Sequence, residues 1–232
     1  MKKIIITFSL VMASMGIINA QTVVVEEEVN KAPTNNVPAY KPSKTDAGFM
    51  MELTSYGGFD EKGLKGKFGN SIGFNFLFNL KYKLAKKVQL VSQVGINYEN
   101  YSFIKTDTNT TFPNSVSNNE MDRFSVTAAS LSLGARFKLK KSLYTELGAT
   151  GKWNFSKVYN YEDKDLNGNK REVFVHDVAY LKDITADAYV RLGVKGISLV
   201  AYYRLTDMMQ TANYAPVVYE TPRLRLGISL GL

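Results

Sequence analysis

From Phe49 onward the chain alternates between apolar and polar positions with a period of two, in eight segments. Successive side chains of a strand point to opposite faces, so each segment predicts a strand with one apolar face. The first face is Phe49, Met51 and Leu53, with Ser55 continuing it; the second runs through every even residue from Ile72 to Leu84. Val88, Leu90, Ser92, Val94, Ile96 and Tyr98 make the third. Leu131, Leu133, Ala135, Phe137 and Leu139 make the fourth, but Phe124, Val126 and Ala128 upstream lie on the other parity, which predicts a bulge near Ala128-Ala129. The fifth takes the odd residues from Leu143 to Phe155, the sixth the even residues from Ile184 to Val194, and the seventh the odd residues from Ile197 to Leu205. In the last, Leu224, Leu226, Ile228, Leu230 and Leu232 alternate with Arg225, Gly227, Ser229 and Gly231. None of these apolar-face positions is charged.

The connections alternate too. Tight turns at Ala85-Lys86-Lys87, Lys140-Lys141-Ser142 and Lys195-Gly196 join strands two to three, four to five and six to seven. Long polar segments, 57–71, 101–123, 157–183 and 206–222, make the other connections. Short turns on one rim and long loops on the other describe an eight-stranded antiparallel transmembrane up-and-down β-barrel, with periplasmic turns and extracellular loops. The last strand, reaching the final residue, would close on the first. Gly73, Gly95, Gly134, Gly148, Gly193 and Gly227 all fall on the polar face, where a narrow cylinder needs small residues.

Ahead of the barrel, Met1-Lys2-Lys3, an apolar run from Ile4 to Ile18 and Ile18-Asn19-Ala20 have the layout of a secretory signal peptide. This divides the chain into a signal peptide (1–20), a Pro-containing periplasmic tether (21–46) and a barrel (47–232). The formal charge of +8 falls to +6 without Lys2 and Lys3. On an exported chain that excess favours anionic lipid headgroups over nucleic acid. There is no cysteine, so no disulfide.

Period-two alternation survives turning a barrel inside out, so a soluble lipocalin-like periplasmic carrier is the structural rival. Tyr82, Tyr98, Trp153, Phe155 and Tyr203 near strand ends on the apolar face match the aromatic girdles of a membrane barrel. The polar face carries both signs of charge, and Lys gathers at the tight turns. With the signal peptide, the loop alternation and the terminal strand Arg225-Leu-Gly-Ile-Ser-Leu-Gly-Leu232, the chain resembles the small outer-membrane β-barrel domain proteins of the OmpA/OmpX general type. The resemblance implies residence in the outer membrane of a Gram-negative bacterium, with outer-membrane lipid and the barrel-assembly machinery as partners.

The candidate site is a lumen polar network of Glu52, Arg136, Glu146, Lys152, Asp187, Arg191, Arg204 and Arg225. Charges in a narrow lumen should interlock, either as a rigid filling or as the lining of a small pore. Asp163, Asp165 and Asn167 match the first half of a calcium loop, but position twelve is Phe174 instead of Glu. A hairpin about Asn167-Gly168, with strands 158–162 and 172–175, is the plainer expectation. His176, the single histidine, has no serine placed beside it for a triad, and no cofactor motif occurs. Gln21-Thr-Val-Val-Val-Glu26 resembles the short box through which energy-coupled outer-membrane transporters pair with a periplasmic protein by strand addition, which makes a periplasmic or surface protein a further possible partner. The expectation is a non-enzymatic barrel with a structural or surface-interaction role. The alternatives are a small pore or accessory barrel of a secretion or transport machine, and the soluble carrier.

Overall fold

The computed structural model describes residues 44–56, 60–61, 64–66, 70–105, 122–140, 142–164, 169–209 and 220–231. The proposed signal peptide, the strand-addition box and nearly all of the tether lie outside them.

Among the described residues, eleven strands form a single sheet: β1 (Thr45–Tyr56), β2 (Asp60–Glu61), β3 (Leu64–Gly66), β4 (Ile72–Lys83), β5 (Val88–Lys105), β6 (Asp122–Lys138), β7 (Leu143–Lys164), β8 (Lys170–His176), β9 (Ile184–Val194), β10 (Ile197–Arg204) and β11 (Leu224–Gly231). Eight of them close into an antiparallel barrel in the order β1-β4-β5-β6-β7-β9-β10-β11, and the ring shuts where β11 pairs β1, from Met50↔Gly231 to Tyr56↔Arg225. Closure leaves no barrel strand with an unpaired edge along its full length. No helix among the described residues is long and apolar enough to cross a membrane.

β5, β6 and β7 are longer than the other walls because they continue into the segments read as loops. Above the belt β3 pairs β5 and β8 pairs β7, so one side of the cylinder stands tall. The β7–β8 ladder, from Val158↔His176 to Lys164↔Lys170, includes the two strand stretches of the anticipated Asn167-Gly168 hairpin.

The apolar face is the outer one. Leu53, Ile96, Leu131, Leu133, Leu147, Leu199, Leu226 and Ile228 are all more than half exposed, whereas Glu52, Glu146 and Arg191 are sealed inside. This is the reverse of the lipocalin-like arrangement, which needs its apolar side chains within, and it removes the soluble-carrier alternative.

The anticipated bulge is displaced. β6 runs in unbroken register against β5, and its even residues from Asp122 to Arg136 all face inward. The register shift lies across the β6–β7 ladder, where Thr127 pairs Ser156 but Ala128 pairs Asn154, making Phe155 of β7 the extra residue. Inward residues of β7 accordingly change from even (Glu146, Thr150, Lys152, Asn154) to odd (Tyr159). The apparent parity switch in β6 has another cause: the lumen changes from polar around Ser130 and Ser132 to apolar around Phe124 and Val126.

Candidate functional site

Inward-facing positions of the barrel are filled in tiers. Nearest the tight turns, Arg136 on β6, Glu146 on β7 and Arg191 on β9 are direct cross-strand neighbours. Arg136 donates to Glu146 Oε2 through Nε (2.8 Å) and Nη2 (2.6 Å), and Arg191 Nη1 pairs with Glu146 Oε1. Arg191 Nη2 then reaches across the lumen to Glu52 Oε1 on β1, at 2.6 Å. The remaining carboxylate capacity is taken by neutral donors: Tyr202 OH (2.6 Å) and Asn75 Nδ2 (2.8 Å) on Glu52 Oε2, and Tyr189 OH (3.1 Å) on Glu146 Oε1. The Arg136 guanidinium lies 3.9 Å from the Tyr144 ring centroid. A buried ion pair survives only where such further hydrogen bonds complete it.

Above this lies a closed quartet. Lys152 Nζ on β7 touches Glu99 Oε1 (2.7 Å) and Asp187 Oδ2 (2.8 Å), and Arg225 on β11 pairs with the same two oxygens through Nη1 and Nη2. Tyr101 OH donates to the other Glu99 oxygen at 2.6 Å. All four charged side chains are almost fully buried.

The third tier, at the long-loop end, is apolar. Tyr56, Tyr101, Phe103, Phe124, Val126 and Tyr159 line the wall, and Val178, Tyr180, Leu181, Met208 and Met209 pack over them from the connecting segments. Leu181 and Met209 form an isolated bridge, and Glu220 pins the layer by accepting from Arg204 Nη2 (2.8 Å) and from the Met208 amide (3.0 Å). Burial, and secondly the Asp122 carboxylate, raise the pKa of the Tyr180 phenol above its ordinary value.

The eight residues named from sequence therefore all lie inside, distributed over two groups and the Arg204–Glu220 anchor. Three carboxylates were missed, one of them Asp122, which is sealed inside, accepts from the Tyr159 hydroxyl and lay in a segment read as a loop. Glu99 shares the inward parity of Gln89, Gln93 and Asn97, and only the early end assigned to the third strand hid it. Glu220 sits in an irregular segment where periodicity carries no signal. With Glu99 and Glu220, five cations meet five carboxylates in these ion pairs among the described residues, where the sequence reading had three carboxylates. The aromatic layer was missed as well.

For the other candidates, Asp163 falls in β7 opposite Arg171, and Asp165 and Asn167 lie outside the described residues. No group of metal-binding side chains occurs among the described residues. His176 ends β8 with its side chain exposed.

No protein-family model matches the chain, and no curated protein matches it. Among solved structures, it is similar to the crystal structure of a major outer membrane protein from Thermus thermophilus, with 14% identity and a TM-score of 0.35, over 80% of this chain and 99% of that one.

Proposed function

We propose that this chain is a non-enzymatic barrel of the outer membrane of a Gram-negative bacterium, with a structural or surface-interacting role. The observation that carries the reading is the combination of an uncharged, predominantly apolar outer belt with a lumen closed by ion pairs. Leu133 and Leu226 are each 56% exposed on the outside, while Arg191, on the inner side of the same wall, is 0% exposed. Exposed apolar surface that encircles a molecule marks contact with lipid or protein, and the Tyr98, Trp153 and Tyr203 side chains near the long-loop ends of the belt suit a bilayer interface. The barrel-assembly machinery and outer-membrane lipid are then its partners, and the long-loop rim is its outward face.

The test is extraction and gel mobility. Cell envelopes should release the protein only with detergent, and the unheated protein should migrate differently from the boiled one. A water-extractable protein with no heat-dependent shift rejects the reading. Transport as a small pore would require the Glu99–Lys152–Asp187–Arg225 quartet to part, so planar bilayers are expected to show no steady unit currents. Their appearance would favour the pore.

A further inference from the structure

The two rims of the barrel handle charge differently. At the long-loop rim several charges are paired: Lys157 with Asp183 (2.5 Å), Lys170 with Glu162 (3.4 Å), and both Arg223 and Lys182 (4.0 Å) with Asp207. At the short-turn rim lie Lys86, Lys87, Lys138, Lys140 and Lys195, all exposed. Among the described residues the exposed carboxylate at this rim is Asp46, and it is engaged by Lys81 at 3.5 Å.

These lysines also have a fixed relation to the apolar belt. Leu84 (60% exposed) precedes Lys86-Lys87, Leu139 (52%) stands between Lys138 and Lys140, and Val194 with Ile197 flank Lys195. Each tight turn thus places ammonium groups within a few residues of the last outward apolar side chain. That is the level at which a bilayer changes from hydrocarbon to phosphate. A lysine stem can lie along the apolar edge while its charge reaches outward. Neutral turns would have sufficed for the fold, because the turns close through backbone bonds, Leu84 N to Val88 O (3.1 Å) and Leu139 N to Leu143 O (2.9 Å).

We propose that the short-turn rim is a binding collar for anionic phospholipid headgroups of the leaflet it meets. The collar rests on the membrane reading above and adds a lipid preference to it. Phosphate groups sit against Lys86-Lys87 and Lys138/Lys140 on neighbouring hairpins, and the attraction is electrostatic and salt-sensitive.

The experiment uses the full processed chain folded into vesicles of mixed phosphatidylcholine and phosphatidylglycerol. Spin-labelled versions of each lipid report the motionally restricted shell around the barrel, and heat-modifiable mobility reports folding in the same samples. The wild type should restrict phosphatidylglycerol in preference to phosphatidylcholine. The preference should fall with added salt and be lost in K86E/K87E/K138E/K140E, with mobility unchanged. Should the fourfold variant not fold, K86Q/K87Q is used, for which a reduced preference is expected. Equal restriction of both lipids by folded wild type, or a preference untouched by the substitutions, overturns the collar and leaves the barrel reading standing. If no sample shows the folded form in any vesicle, the membrane reading fails and the collar with it.

Discussion

Arg191 of β9 and Glu52 of β1 meet across the lumen, 139 residues apart in sequence, at 2.6 Å and with both side chains 0% exposed. Arg191 also holds Glu146, so its removal leaves Glu52 without a cation and Glu146 with Arg136 alone, in a sealed interior. Arg191→Leu is expected to cost about 3–5 kcal/mol. Lys81→Ala, which breaks the partly exposed pair with Asp46, is expected to cost at most about 1 kcal/mol. Urea midpoints of the two variants in vesicles check the ordering. Equal midpoints would show that the cross-lumen pair contributes nothing.

Tyr144 occupies the space that Gly193 leaves open. A Cβ at position 193 would stand 2.7 Å from Tyr144 Cε1, and the nearest atoms all belong to that one ring. Gly193→Ala should therefore destabilise by about 1–3 kcal/mol, as overpacked sites do. The same change made on Tyr144→Leu should cost much less, because only the ring is in the way. A double-mutant cycle by denaturant titration measures the coupling, and additive costs would place the clash elsewhere.

Phe124 is 0% exposed, with ring centroids of Tyr159 at 4.9 Å, Phe103 at 5.6 Å and Tyr180 at 6.0 Å. Phe124→Ala empties the centre of the aromatic layer and should cost about 3–5 kcal/mol. Its effect should be concentrated where Val178 to Leu181 pack on that layer. Trypsin is expected to cut faster at Lys182 in the variant than in the wild type, with the barrel strands still protected. Unchanged cleavage there would mean that the layer does not hold the segment down.

Leu133 stands on the outer face with 56% of its surface exposed. In a bilayer, Leu133→Arg should cost about 2–4 kcal/mol if the site is near the midplane. Gln93→Leu, a polar-to-apolar change on the inner face, removes the donor to Asn79 (2.6 Å) and should destabilise by about 1–3 kcal/mol. Folding yield in vesicles tests both, and an innocuous arginine at position 133 would argue that lipid does not touch this face.

Much of this architecture is legible in the alternation itself. Residues from Leu131 to Leu139 on one parity and Ser130 to Arg136 on the other separate the two sides of β6 without any tertiary information. Legibility stops where a side chain's environment changes along one strand. Phe124 and Val126 are apolar and inward, so a rule equating apolar with outward misplaces them and invents a bulge in the wrong strand. It stops again at Glu99, one residue beyond the end assigned to its strand, and at Glu220, which no period marks.

By itself the sequence determined eight alternating segments, the order of tight and long connections and the single parity that the charged residues share, because a strand's period of two is a local property of the backbone. Only the closed barrel decided which parity faces outward, since inversion leaves that period unchanged. Closure also decided that Glu52 finds Arg191 and Arg225 finds Glu99: partners on opposite walls are chosen by the stagger of the ring, which no single strand encodes.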